Sequence, residues 1–158
     1  MVCIYVTDAD WLDALRGQPY ETVHFWRGSR DNIHLPNGSA FYFKLYGSEF
    51  IAGRAQFLGQ TVLSISDAWA RYTFANGVRS EDELRQKASE VLRLPDGAPL
   101  CCLLLRNVRI LPVNQYFVVN ADEYQPGPFP YRLLEDHNMH RIREEFAHRW
   151  QVRFNRAC

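Results

Sequence analysis

Aromatic side chains next to arginines are the residues of this sequence with the clearest chemical potential. Trp26 is followed directly by Arg27 and then by Arg30, while Trp69 follows a Ser-Asp pair at residues 66–67. Proteins that inspect one nucleic acid base hold it between aromatic faces, with polar groups on its edge. Arginine guanidinium groups suit the phosphates on either side. The pattern therefore indicates a base pocket with flanking phosphate contacts.

The predicted site combines these side chains with polar neighbours. A base stacked on an aromatic ring gains roughly 1–3 kcal/mol, so each tryptophan could form one wall of a cage. The base-pocket residues are Trp26, Trp69, His24, Ser66 and Asp67, and the phosphate-binding residues are Arg27, Arg30 and Arg54. The alternative for each tryptophan is an ordinary position in the hydrophobic core. The arginine-rich stretch 148–158 could also contact DNA, or could begin a linker.

Sequence patterns for catalysis are weak. The chain has no G-x-S-x-G motif, no P-loop and no cysteine in a recognised catalytic motif. His137 and His140 can share a helix face and could hold a metal, but no acidic or cysteine partner follows in a known metal pattern, and solvated helix histidines are the expectation. The segment Asp136–His140, DHNMH, crowds the letters of an HNH nuclease motif into one helical turn. We therefore predict no catalytic residue, metal or cofactor.

Composition and charge limit the classes of protein that fit. The 158 residues suffice for one domain, and the formal net charge of zero gives no global attraction to nucleic acid or membrane. Only Lys44 and Lys87 are lysine among 18 cations, a bias that phosphate binding or a GC-rich genome explains equally well. The four cysteines lack metal-ligand spacing, and there is neither a signal peptide nor an apolar run as long as a membrane span. These features predict a cytoplasmic protein without a membrane partner.

The elements that must position the site are strands mixed with helices. The segment 40–58 reads as a hairpin: Phe41, Phe43 and Leu45 alternate with other residues as in a half-buried strand, and Gly53 marks a kink in the return strand. Further strands are predicted at 2–6, 21–26, 100–111 and 116–119, and helices at 8–15, 68–75, 81–92 and 135–150, with an extended proline-rich connection at 126–130. The order predicts an α+β fold, a small curved β-barrel with helices packed on its outside.

Four segments together resemble the N-terminal domain of bacterial HNH endonucleases of the modification-dependent restriction type. They are Val6–Trp11, His24–Trp26, Phe41–Leu45 and the stretch 68–77 with Ala68-Trp69, Phe74 and Asn76-Gly77. The resemblance covers about residues 2–92. It implies a PUA-like fold, of the superfamily that includes the EVE, YTH, ASCH and SRA folds, in which several members bind a flipped modified base. His24 replaces an asparagine of those relatives, so the preferred base would differ.

Residues 1–158 are therefore predicted to form a single PUA-like domain, with 147–158 as a helix end or the start of a linker. The predicted function is non-catalytic reading of DNA that carries a modified base, with targeting of an HNH nuclease domain or subunit as a consequence. One alternative is an RNA-binding module of the same fold. Another is a small hydrolase or nucleotide-processing enzyme that uses His24, Asp67 or the terminal histidines. A third is a protein-interaction module with a flat apolar patch.

Overall fold

The strands form one mixed sheet. A computed structural model of the chain describes residues 1–28 and 30–155, with side chains described up to residue 152. The strands are β1 (Val2–Thr7), β2 (Thr22–Arg27), β3 (Ala40–Leu45), β4 (Phe50–Leu63), β5 (Leu100–Ile110), β6 (Phe117–Val118) and β7 (Tyr131–Leu134). Their order is β2-β5-β4-β3-β1-β7, with β6 paired to β4, and only β1 and β3 run parallel.

Helices cover both faces of this sheet. They are α1 (Ala9–Leu15), α2 (Ile65–Tyr72), α3 (Glu81–Glu90) and α4 (His140–Asn155), with short 3-10 turns at Thr73–Asn76, Val113–Gln115 and Asp136–Met139. This arrangement confirms the predicted α+β class. Among the described residues, no helix combines the length and the hydropathy needed to cross a lipid bilayer.

The strands alternate between two hydrophobic cores. Tyr5 and Phe43 belong to a core with side chains of α1, α2 and α3, whereas Ile4 and Tyr42 belong to a second core with Phe146 of α4. Strand β3 of the hairpin is therefore buried on both faces, not half-buried as its alternation predicts. The reason is α4, which comes from the far end of the chain and covers the face that Tyr42 occupies.

Kinks in β4 curl the sheet. A Cβ added to Gly53 would lie 2.9 Å from both a ring carbon of Phe43 and the carbonyl oxygen of Arg109, so only glycine allows this close approach. The pairing of β4 with β3 and with β5 shifts register near this point and again further along. As a result the rings of Tyr5 in β1 and Phe25 in β2 lie 4.8 Å apart, although three strands separate β1 from β2 in the sheet.

The sheet approaches a barrel but does not close. The two outermost strands, β2 and β7, are not paired with each other in the part of the chain that the structure describes. They meet through side chains instead, since the guanidinium of Arg27 lies over the ring of Tyr131, 5.3 Å from its centroid. The predicted curved sheet is confirmed in this open form.

Several predicted boundaries are wrong. Strand β4 continues to Leu63, and helix α2 begins at Ile65 because the Ser64 side chain accepts a hydrogen bond from the amide of Asp67, 3.0 Å away. Strand β7 was not predicted, because four residues after a proline-rich segment carry little pattern. It pairs with β1. The final helix begins at His140, after a 3-10 turn, and continues to Asn155. Residues 156–158 lie outside the described residues.

Candidate functional site

A cavity of about 1060 Å³ opens where β1, β2 and β3 end. Its walls come from the last residues of those strands, from the start of α1, from the turn after β3 and from residues that follow α3. The proline-rich segment 124–130 forms another side. Because these segments are far apart in sequence, the curl of the sheet is what brings them together.

Aromatic rings line this cavity from its interior to its rim. Tyr5, Phe25 and Trp26 are buried in the wall, with Trp26 only 8% exposed. Tyr46 and Phe129 lie at the opening, where they are 79% and 64% exposed. Exposed aromatic rings beside a concave surface are suited to stacking on a planar ligand.

Two buried cations, Arg27 and Lys44, also line the cavity. Lys44 is partnered: Nζ donates to the carbonyl oxygen of Ser48 and lies 3.9 Å from a carboxylate oxygen of Glu49. Arg27 is 4% exposed, and its Nε and Nη1 have no hydrogen-bond partner among the described residues. Lys44 therefore has a carboxylate partner within the chain, whereas the Arg27 guanidinium lies over the ring of Tyr131.

Three weakly acidic groups near Arg27 do not neutralise it. Burial raises the pKa of the Cys3 thiol and of the Tyr5 phenol far above their ordinary values, although the Arg27 charge opposes both shifts. Burial also raises the pKa of Cys101, which pairs with Arg27 across β2 and β5. All three groups stay neutral at physiological pH, so they supply no counter-charge.

The structure does not bring the two predicted tryptophans to one cavity. Trp26 lies in the wall, and its indole Nε1 donates to the backbone carbonyl of Asn76, 3.0 Å away. Trp69 is half-buried on α2, where its ring meets Phe74 edge-on at 5.6 Å, and it does not line the cavity. Trp26 and Trp69 therefore do not form a cage in this structure.

His24 is fully buried behind the cavity rather than in its wall. Its Nδ1 lies 2.6 Å from the side-chain oxygen of Asn76, and its ring stacks on Tyr72 with centroids 4.5 Å apart. Burial lowers the pKa of His24 to about 4, against the opposing effect of the Asn76 hydrogen bond. The imidazole is therefore neutral and structural in this conformation.

The other predicted site residues lie on different surfaces. Ser66 and Asp67 are exposed in the first turn of α2, and Ser66 is hydrogen-bonded to Glu81 at 2.6 Å. Arg30 is exposed, and Arg54 lies over the ring of Tyr42 at 5.7 Å. None of these four lines the cavity. Of the eight predicted residues, Trp26 and Arg27 do.

Tyr46, Phe129 and Lys44 are among the cavity residues that sequence reasoning missed. Tyr46 occupies a hairpin turn and Phe129 stands between Pro128 and Pro130, two settings in which a large aromatic side chain cannot easily be buried. An aromatic residue inside a turn or a proline-rich segment is therefore a signal that could have been used. Lys44 carries no such signal, since a lysine in a strand usually points to solvent.

Metal ligands do not cluster in the described residues. No group of three or more histidine, cysteine, aspartate or glutamate side chains there could hold a metal ion. His140 instead lies 3.1 Å from Glu144, one turn along α4.

Comparison with known proteins identifies the fold. No family model matches the chain, and no curated protein sequence matches it significantly. The structure is similar to that of ASCH from Zymomonas mobilis, with a TM-score of 0.59, 11% identity, and coverage of 90% of this chain and 93% of that chain. Two mutants of that protein give the same TM-score of 0.59 and the same coverage of 90% of this chain. The tyrosine-to-phenylalanine mutant is 11% identical and is covered over 96% of its length. The serine-to-alanine mutant is 13% identical and is covered over 94% of its length.

This likeness confirms the PUA-like fold that the sequence predicts. At 11–13% identity it concerns the fold alone. An association with HNH restriction endonucleases stays a prediction from the sequence.

Proposed function

We propose that this chain binds nucleic acid by accepting one unstacked nucleotide in the cavity between β1, β2 and β3. The observation that carries the proposal is a cavity of about 1060 Å³ with aromatic rings in its wall and at its rim, and with a buried guanidinium, that of Arg27, whose Nε and Nη1 have no hydrogen-bond partner among the described residues. Ligand pockets usually enclose ~300–1,000 Å³, so the space accommodates a whole nucleotide.

The combination of groups favours a nucleotide over other ligands. Every base has a π-face that can stack on aromatic side chains such as Tyr46 and Phe129. A neutral apolar ligand would leave the Arg27 charge without a partner, whereas a phosphate would supply one. The concave shape also disfavours the predicted alternative of a flat protein-interaction patch.

Two kinds of nucleic acid are candidates. The first is DNA with a modified base, which a reader of this type would flip out of the duplex. The resemblance of the sequence to restriction endonuclease domains supports it, and an HNH nuclease domain or subunit would then be the partner. The second is single-stranded RNA, which the exposure of Tyr46 and Phe129 favours, because its bases are already unstacked. Either polymer fits the cytoplasmic location that the sequence predicts.

A binding titration separates these candidates. Fluorescent oligonucleotides of one sequence would be compared as a duplex with 5-methylcytosine, an unmodified duplex, single-stranded DNA and single-stranded RNA, each at two salt concentrations. A modified-DNA reader should prefer the methylated duplex by about tenfold or more. A preference for RNA would identify the second candidate. Absence of saturable binding to all four would contradict the proposal.

A further inference from the structure

Arg27 is a buried cation in the wall of the cavity whose guanidinium is only partly satisfied by the described residues. It is 4% exposed, and its Nε and Nη1 have no hydrogen-bond partner among the described residues. A buried ion without a partner strongly destabilises a fold, and the ring of Tyr131 supplies only part of the compensation. A group in this condition at the wall of a cavity is suited to bind an anion.

Nearby carboxylates are already engaged. Asp8 lines the cavity, but its side chain caps α1 by accepting from the amide of Asp10 at 3.1 Å, and it lies 3.8 Å from Nζ of Lys87. Glu49 lies beside Lys44. An anionic ligand in the cavity would therefore supply a partner for Arg27 that neither Asp8 nor Glu49 provides.

Cation and stacking groups also lie at different depths. Arg27 is buried in the wall, whereas Tyr46 and Phe129 are largely exposed at the opening. A ligand that contacts both must enter with its anionic end first and keep its planar part near the rim. This polarity is the reverse of the one that the sequence suggests, in which the base enters and the phosphates stay outside.

We infer that Arg27 binds the phosphomonoester of a nucleotide, either free or at the end of a nucleic acid chain, while the base stacks at the rim. The inference rests on the proposed function, because it concerns the same cavity. A terminal phosphate can reach a buried guanidinium through one opening, whereas an internal phosphodiester needs room for the chain to continue on both sides. The three free oxygens of a phosphomonoester can also accept charge-assisted hydrogen bonds from the Arg27 guanidinium.

The test compares ligands that differ only in the terminal phosphate. Binding to the full chain would be measured for a short single-stranded oligonucleotide with a 5′-phosphate, a 3′-phosphate or hydroxyls at both ends. Nucleoside monophosphates would be compared with their nucleosides. Arg54→Gln is the matched control for Arg27→Gln, since Arg54 also lies over a tyrosine ring and has an unpartnered Nε, yet does not line the cavity.

The wild-type chain should bind one phosphorylated form at least tenfold more tightly than its hydroxyl counterpart. Arg27→Gln should remove this preference and Arg54→Gln should keep it. A preference shown by an oligonucleotide but not by a monophosphate would identify a chain end, and the reverse would identify a free nucleotide. Equal affinity for phosphate and hydroxyl forms would overturn the inference while leaving the proposed function intact.

Inorganic phosphate provides an independent readout. It should raise the thermal unfolding temperature of the wild-type and Arg54→Gln chains more than that of Arg27→Gln, since a ligand that binds only the folded state stabilises it. Stabilisation by phosphate that depends on Arg27, together with no binding of any oligonucleotide, would support the anion site and contradict nucleic acid binding. No effect of phosphate and no binding of any phosphorylated ligand would contradict both.

Discussion

Asn76 fixes the proton of His24. Its side-chain oxygen lies 2.6 Å from Nδ1 of His24, while its side-chain nitrogen donates to the carbonyls of Ala68 and Thr73 at 3.0 and 2.8 Å. Because the amide oxygen can only accept, the neutral imidazole carries its proton on Nδ1. The backbone carbonyl of the same asparagine accepts from the Trp26 indole. Asn76 thus holds the end of strand β2 in place beside the cavity through His24 and Trp26.

Folding stability should fall as His24 is titrated. Its pKa is 6.5 in the unfolded chain and about 4 in the folded one, because burial penalises the imidazolium. Between these values the unfolded state binds more protons, so the free energy of unfolding decreases as pH falls from 6.5 towards 4. The full difference corresponds to about 3 kcal/mol, of which about 2 kcal/mol is lost by pH 5.

Urea unfolding at pH 7.5, 6.5, 5.5 and 5.0 measures this loss. His24→Gln keeps a hydrogen-bonding side chain but does not titrate, so its stability should depend on pH less steeply by about 2 kcal/mol over the same interval. Parallel curves for the two proteins would show that His24 is not buried and neutral in the folded state.

The fold class was predictable because its signals are local. Alternation in the hairpin around Phe43 and a glycine kink at Gly53 are properties of short segments, and both are present in the structure. Strand β7 was missed since Tyr131–Leu134 pairs with β1 from the opposite end of the chain. Its position depends on long-range contacts that a short pattern does not encode.

The cavity was less predictable than the fold. Arg27 and Lys44 lie on different strands, and only the curl of the sheet brings both to one cavity. The polar neighbours of Trp26 and Trp69 suggested a shared cage, but α2 holds Trp69 against Phe74. Residue type therefore pointed to two residues that do line one cavity, Trp26 and Arg27, whereas side-chain direction required the three-dimensional path of the chain.

Gly77 should be intolerant of any side chain. It has a φ of +73°, and a Cβ at this position would lie 2.3 Å from a ring carbon of Trp11. Gly77→Ala combines left-handed backbone strain with overpacking, so we expect it to lower the free energy of unfolding by about 2–5 kcal/mol. Gly97→Ala is the control, since Gly97 has a φ of +76° with nothing within 4 Å, and should cost about 1–2 kcal/mol. Equal losses in urea unfolding would contradict the contact with Trp11.

The rim aromatics should contribute to binding without contributing to stability. Tyr46→Ala and Phe129→Ala each remove a stacking surface, so each should weaken nucleic acid binding by about 1–3 kcal/mol, or roughly 5- to 150-fold. Their unfolding free energies should stay within about 0.5 kcal/mol of wild type, because both side chains are largely exposed.

The control for the rim aromatics is Phe74→Ala. Phe74 is 55% exposed, comparable to Phe129, but lies against Trp69 and away from the cavity. Its removal should leave affinity unchanged in the same titration. If Phe74→Ala lowered the affinity and the rim variants did not, the binding surface would lie at Trp69 rather than at the cavity rim.

Glu123 connects α4 to the segment that walls the cavity. It is buried and accepts from Nε of Arg141 at 2.6 Å and from the backbone amide of Asn120 at 2.8 Å. Burial acts to raise its pKa, but these hydrogen bonds outweigh burial and the pKa is lowered. The stability that the ionised Glu123 carboxylate contributes is therefore present above pH 4.5 and is lost as pH falls through the lowered pKa. At neutral pH we expect Glu123→Gln to cost about 1–3 kcal/mol.

A second ion pair on α4 offers the comparison. Glu145 pairs with Arg149 at 2.5 Å, and both side chains are about one-third exposed, so Glu145→Gln should cost less than about 1 kcal/mol. Urea unfolding at pH 7 would measure both variants. Because Tyr124 follows Glu123 directly and lines the cavity, Glu123→Gln should also weaken ligand binding, whereas Glu145→Gln should not. Equal effects of the two variants on stability and on binding would show that Glu123 does not support the cavity wall.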